Sequence, residues 1–314
     1  MSPVNSSTAA SSDWLRRYDA MSTNAAAAVM KRYSTSFSLA ANLLPGQVKQ
    51  DIRNLYAVVR IADEIVDGTA SEAAADDIGE LLSAYERAVL AAPNKRFHTD
   101  PILHAYANTA RRCQFDPAHI TAFFASMRRD LTQEHYRQAD LDEYIYGSAE
   151  VIGLLCLAVF ETSMSVTHKE HEHLDRGARA LGAAFQKVNF LRDIGEDSVA
   201  LGRAYFPVAA SSRAQGLLID DPAKQAIIEE IRADLAVAYS SMPLLPRRIR
   251  AGVMAAADLF SELTELITDT PAAELATRRI RVPHARKLQI TTRAVVKAAS
   301  GGRAAVGEGG SHHV

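Results

Sequence analysis

The sequence predicts an all-α protein built as one helical bundle, and three observations carry that expectation. Alanine is abundant and β-branched alternation is nearly absent, so the period-two signature of strands is missing. Apolar residues recur instead at helical spacing along most of the chain. Glycine and proline breaks cut it into segments about 15 to 30 residues long, the lengths of bundle helices.

Taken in order, Met1 to Ser12 are rich in Ser and Ala with no apolar run, which fits neither a signal peptide nor an anchor. Residues 1–20 are expected as a disordered lead-in, 21–299 as the domain, and 300–314 as a disordered tail. The breaks fall at Pro45-Gly46, Gly68-Thr69, Ala92-Pro93-Asn94, Asp116-Pro117, Gly202 to Pro207, Asp221-Pro222 and Pro243 to Pro246. Asp116-Pro117 reads as an N-cap followed by proline at the first helical position. The apolar run Val151 to Phe160 is shorter than the roughly 20 residues that span a bilayer, and reads as a buried helix core. No low-complexity linker or repeat divides the interior. The tail ends His312-His313-Val314, where a frayed terminus is expected rather than a two-histidine metal site.

Composition narrows the function classes. Hydrophobic residues are 48% and charged residues 23%, as in ordinary globular proteins. A net charge of −2 removes the general electrostatic case for nucleic acid. Cys113 and Cys156 both fall in apolar helical stretches and read as buried thiols, fitting a reducing cytoplasm.

Two acidic pairs carry the chemistry: Asp63-Glu-Ile-Val-Asp67 and Asp193-Ile-Gly-Glu-Asp197. At i and i+4 the carboxylates of each pair share one helical face, where like charges repel. Each pair extends into a polar stripe, Tyr56, Arg60, Asp63, Asp67 in one helix and Gln186, Asn189, Asp193, Asp197 in the other. The residues between are largely apolar, so both helices should be buried, and buried carboxylates are paired or coordinate metal. A lone Asp-x-x-x-Asp is usually a solvated face, and Arg60 and Arg192 offer simple ion pairs as the plainer explanation. Oxygen-only ligands favour a hard cation, Mg2+ or Mn2+, which shares its shell with substrate phosphates. Diphosphate binding between two facing helices is the chemistry suggested.

Several further stretches, in order, give the chain a resemblance to the squalene/phytoene synthase family. They are Tyr33-Ser-Thr-Ser-Phe-Ser38, Tyr56 to Gly68, Met127-Arg-Arg-Asp-Leu131, Tyr144-Ile-Tyr-Gly-Ser-Ala149, Gln186 to Asp197, Gly202-Arg-Ala-Tyr-Phe-Pro207, Arg278 to Pro283 and Arg286-Lys-Leu288. The resemblance spans about Tyr33 to Leu288. It implies an isoprenoid-synthase-type bundle around a central cavity where two allylic diphosphates bind. It implies metal bridging from Asp63, Asp67, Asn189, Asp193 and Asp197. Ionisation, cyclopropyl closure and rearrangement would then give a head-to-head hydrocarbon.

The same resemblance gives Ser34, Ser36 and Phe37 contacts to diphosphate and chain, although the two serines serve equally as helix caps. Arg60 and Arg192 have the planar fork for phosphate oxygens. Arg203 and Tyr205 lie on a loop suited to covering diphosphate, and Gln186 on the second diphosphate. Tyr56 and Tyr144 are read either as catalytic, through a proton or a ring face, or as structural. Asp130 is left as a helix-face ion pair. Glu150 stands where relatives carry a small residue, and is expected in a structural pair. The small Ala40 and Ala41, if they line the pocket, favour the twenty-carbon geranylgeranyl diphosphate and a phytoene synthase without NADPH. The alternatives are farnesyl diphosphate as substrate, a non-catalytic scaffold of the same fold, and a terpene cyclase. Greasy substrates suggest weak peripheral membrane association.

Overall fold

Aspartates set many of the helix starts. In the computed structural model, which describes residues 7–133, 136–200, 205–206 and 218–300, Asp77, Asp100, Asp116 and Asp220 each accept a hydrogen bond from a first-turn N–H. Proline follows three of them, Asp100, Asp116 and Asp220, inside the first turn, where a missing N–H costs nothing. The helices are α1 (Ser7–Tyr33), α2 (Thr35–Ala41), α3 (Gly46–Val66), α4 (Thr69–Glu72), α5 (Ile78–Ala91), α6 (Pro101–Cys113) and α7 (Pro117–Arg129). Then come α8 (Gln138–Ile145), a π-helical turn (Tyr146–Glu150), α9 (Val151–Glu161) and α10 (His168–Ala200). The last are α11 (Asp221–Ser241), α12 (Arg247–Thr268), α13 (Ala272–Leu275) and α14 (His284–Ser300). No strand occurs among the described residues.

Two apolar cores divide the bundle. The first gathers α1, α3, α5 to α7 and α9 around Leu55, Phe124 and Leu155. The second gathers α8 and α10 to α14 around Leu191, Ile228 and Leu263. Between α3 and α6 a buried polar contact fixes the first half: Thr109 donates to Asp51 at 2.7 Å and Asn54 donates to Thr109 at 3.0 Å. Lys187 on α10 pairs with Glu230 and Asp234 of α11 at 2.9 and 3.0 Å, fixing the second acidic helix. Helices α9 and α10 meet at their backbones, since a Cβ on Gly153 would stand 2.2 Å from the Ala178 carbonyl oxygen.

Two expectations change here. The lead-in does not hold over its whole length, because α1 is helical from Ser7 and Tyr18 donates to the His98 carbonyl at 2.9 Å. The tail beyond Ser300 lies outside the described residues. The apolar run Val151 to Phe160 is part of a longer continuous helical stretch, Gln138–Glu161, which is long and apolar enough over part of its length to cross a membrane. It packs against α7 and α10, with Val151, Leu155 and Val159 buried, as the core helix of a bundle does. Cys113 and Cys156 are free thiols, and burial raises the pKa of both.

Candidate active site

The first acidic stripe closes α3. Asp67 is its C-cap, and its N–H still reaches the Asp63 carbonyl at 2.8 Å, so the two carboxylates share a face as the spacing predicts. Gly68, at φ +108°, then turns the chain away. Arg60 hydrogen-bonds Glu64 and lies 3.8 Å from Asp63, with its guanidinium 4.5 Å from the Tyr33 ring centroid. Glu64 also accepts from Thr69. The principal partner of Arg60 is thus Glu64, and its buried Nε has no acceptor.

Asp63 is pushed up to about 8, by burial first and then by the charge of Asp67, while Arg60 opposes the shift and Asp130 and Glu64 add to it. Its side chain nevertheless keeps 30% of its surface, so water reaches it in part. Tyr56, one turn before Arg60, is raised to about 12, chiefly by burial. It therefore holds its proton at neutral pH.

Asp130 belongs to this group. It is the C-cap of α7. The preceding arginines turn elsewhere, Arg128 to Glu86 and Arg129 to Glu143. Tyr144 donates to Asp130 at 2.9 Å and Tyr136 reaches it at 3.5 Å. Asp67 and Asp130 thus put carboxylates at the C-terminal ends of two helices, where the backbone dipoles are already negative. The charges of Asp67 and Asp130 both raise the pKa of Asp63, while Arg60 opposes them.

The second stripe is built differently. On α10, Gln186 and Asn189 are half-buried and make no side-chain hydrogen bond among the described residues. Asp193 is held by two arginines: Arg192 at 2.8 Å from Nε, and Arg279 at 3.0 Å from Nε. Arg279 also bonds Glu196 at 2.7 Å. The segment carrying it lies directly on α10, because a Cβ on Gly195 would meet the Ala276 carbonyl oxygen at 2.2 Å. A pocket of about 350 Å3 opens there, lined in part by Arg192, Glu196, Arg278 and Arg279. Lys287, bonded to Thr35 at 2.7 Å, is lowered by burial and by the charges of Arg192 and Arg281. Asp197, in side chain, and Arg203 lie outside the described residues.

Aromatic walls join the two stripes. Phe37 lies 6.2 Å from Tyr56, 5.7 Å from Phe185 and 5.5 Å from Phe260, and the last two stack at 3.9 Å. Tyr144 lies in a second cluster, 5.7 Å from Tyr205 and 5.9 Å from Phe190. Tyr205 is buried and stacks on Phe190 at 4.0 Å, so it is part of this wall rather than of an open covering loop. Ser34 caps α2, accepting from the Phe37 N–H at 3.1 Å, while Ser36 is half-buried nearby. Ala40 packs with Ala255 and Ala294, and Ala41 lies in the first core. Their small size therefore serves helix packing, and the chain-length argument built on them falls. Glu150 pairs with Arg179 at 2.7 Å, the structural pair expected.

Asp130, Phe260, Arg279 and Lys287 were missed as site residues. Asp130, Arg279 and Lys287 stand in stretches the sequence singles out, but nothing in their spacing says which side chains turn inward. Phe260 has no local signal at all.

An all-α bundle with an acid-bearing α3 and an arginine-flanked stripe on α10, both reached by the ring of Phe37, has the architecture of an isoprenoid synthase. The sequence pattern described as squalene/phytoene synthase matches residues 30–286. The chain belongs to that family, and is a prenyltransferase of the head-to-head isoprenoid class. It is 28% identical to the phytoene synthase of Mycobacterium bovis over 88% of this chain and 91% of that one. It is 32% identical to the 4,4'-diapophytoene synthase of Staphylococcus haemolyticus, over 58% of this chain and 60% of that one. Among solved structures, a dehydrosqualene synthase bound to a ligand superposes with a TM-score of 0.74 at 21% identity, covering 91% of this chain and 99% of that one.

Proposed function

We propose that the chain joins two geranylgeranyl diphosphates head to head, through a cyclopropyl diphosphate, to phytoene. The observation that supports the reaction is that Phe37 reaches both polar stripes, 6.2 Å from Tyr56 on the helix of Asp63 and Asp67 and 5.7 Å from Phe185 on the helix of Asp193, which two arginines hold. The phytoene synthase of Mycobacterium bovis, aligned over 91% of its length, supports the twenty-carbon substrate. NADPH is not required in this reading.

The residues fit a divalent metal by their chemistry. Asp63 and Asp67 are oxygen ligands in a site of excess negative charge, and Asp193, Asp197 and Asn189 are the proposed ligands opposite. Among the described residues no three His, Cys, Asp or Glu side chains form a ready cage. Mg2+ commonly takes only one or two carboxylates, with water and phosphate completing the shell. When bound, Mg2+, or Mn2+ in its place, neutralises charge on the leaving diphosphate.

The chain's own groups do the rest. Arg192, Arg279 and Lys287 present cations to diphosphate oxygens, and the orphaned Nε of Arg60 supplies a further donor. Phe37, Phe185 and Phe260 exclude water and turn ring faces toward a developing allylic cation. Tyr144, held on Asp130, and Tyr56 keep their protons and orient oxygen atoms. Cytoplasmic location with weak peripheral association at the inner membrane face completes the proposal, since substrate and product are greasy.

Incubating purified protein and Mg2+ with fifteen- and twenty-carbon diphosphates, without NADPH, tests it. Phytoene from the longer substrate is expected. Preference for farnesyl diphosphate would move the assignment to a diapophytoene or squalene type, as the staphylococcal relative suggests. No diphosphate release from either would favour a scaffold.

A further inference from the structure

Helix α1 carries an exposed aromatic stripe remote from the acids. Trp14 is 71% exposed and Phe97, on the loop before α6, is 55% exposed. Trp14 and Tyr18 share a helix face at i and i+4, and the Tyr18 ring lies 5.1 Å from Phe97. The acidic site touches the other end of α1, where Tyr33 meets Arg60. Some five turns separate Tyr33 from Trp14, roughly 28 Å along the axis.

The loop that presents Phe97 is held in place. Arg111 donates to the carbonyls of Pro93 at 3.1 Å and Lys95 at 2.7 Å. A ring nitrogen of His98 bonds the Ala92 carbonyl at 3.0 Å, and Tyr18 donates to the His98 carbonyl at 2.9 Å. The backbone is thus tied down while the phenyl ring remains in water. Ordering a loop costs entropy, and a ring that touches Tyr18 and His104 yet stays more than half exposed repays only part of it in the isolated protein. A partner that buries the ring supplies the missing gain.

Charge identifies the partner. The Arg17 guanidinium lies 5.5 Å from the Trp14 ring centroid, and Lys95 and Arg96 stand exposed beside Phe97. No carboxylate pairs with these three among the described residues. The neighbouring acids are engaged: Asp13 with Arg16, Asp19 with His104 and Asn108, and Asp100 as the cap of α6. Across a two-fold axis such a face would set like charge against like, which disfavours a second copy.

We propose that Trp14, Tyr18 and Phe97, flanked by Arg17, Lys95 and Arg96, form a docking face for an anionic lipid bilayer. The rings enter the interfacial layer and the cations meet headgroup phosphates. This locates the peripheral association proposed above and rests on it.

Trp14 is the only tryptophan in the chain, so its emission reports this face alone. The full chain is titrated with phosphatidylcholine vesicles containing or lacking phosphatidylglycerol, following emission and co-sedimentation. A blue shift with co-sedimentation on anionic vesicles, weakened by salt, is expected. F97D and the double variant K95E/R96E should each weaken vesicle binding on the order of tenfold, with helical circular dichroism and turnover of detergent-dispersed substrate unchanged. Co-sedimentation without a Trp14 shift overturns this face and leaves peripheral association standing; no binding to anionic vesicles overturns both. A blue shift that follows protein concentration without lipid gives the face to a second copy and also overturns the proposal. Condensation of diphosphates is read separately and is untouched by any of these outcomes.

Discussion

Replacing Asp63 by asparagine should stabilise the metal-free protein in alkali and change it far less in acid. The carboxyl rises from 3.8 to about 8 on folding, through burial and then the charge of Asp67. Between those values the folded chain holds a proton that the unfolded chain has lost. Stability from the neutral form is therefore complete below 3.8 and is lost as pH rises through about 8. Asparagine has no proton to lose, so its advantage opens across that window and then levels off. The whole shift would be worth several kcal/mol, but the side chain is 30% accessible and the water that reaches it screens part of it. Roughly 2 kcal/mol is the expected gain at about pH 9, or about 4 °C in Tm for a chain of this size.

Urea unfolding followed by circular dichroism, with a chelator present, measures this at about pH 5 and about pH 9. Saturating Mg2+ should reverse the order, because metal held by the native carboxylate stabilises the parent chain by mass action. If the variant is less stable than the parent at the higher pH, or the difference is the same at both, the reading of Asp63 as an acid raised by burial and by Asp67 fails.

Three other variants test neighbouring claims. Asp130→Asn should weaken the hydrogen bond from Tyr144 and cost about 1 to 2 kcal/mol in urea unfolding, with turnover falling by about tenfold or more; unchanged turnover would return Asp130 to a structural role. Gly153→Ala forces a methyl against the Ala178 carbonyl 2.2 Å away, and should cost about 2 to 3 kcal/mol as α9 and α10 separate, measured as a lower urea midpoint. Glu150→Gln removes a half-exposed pair with Arg179, so stability should change by less than about 1 kcal/mol with unaltered turnover.

How much of this was legible depended on whether the signal was local. Helical periodicity and Asp-Pro starts are properties of neighbouring residues, and Asp116 caps α7 where the spacing places the start. The i, i+4 geometry of Asp63 and Asp67 is equally local, and survives even though Asp67 closes the helix rather than lying inside it. The partners that set the chemistry are distant in sequence. Nothing near Asp193 announces Arg279, and nothing near Tyr144 announces that its hydroxyl reaches Asp130. The alanines misled for the same reason: a small residue fits a pocket wall and a close helix crossing equally well, and only the positions of Ala255 and Ala294 decide between them.

The two acidic pairs look alike in sequence and differ in the fold. Around Asp63 negative charge accumulates, from Asp67, Asp130 and the C-terminal ends of α3 and α7, while Arg60 stands 3.8 Å off and spends its bond on Glu64. Around Asp193 positive charge accumulates instead, from Arg192 and Arg279, with Lys287 crowded against Arg192 and Arg281 nearby. In the proposed function the first stripe would hold metal, and Arg192 and Arg279 would exchange their bonds to Asp193 and Glu196 for diphosphate oxygens. The spacing that drew attention to both motifs states only that each can repel itself. Their division of labour comes from helix ends and arginines that the motifs do not contain.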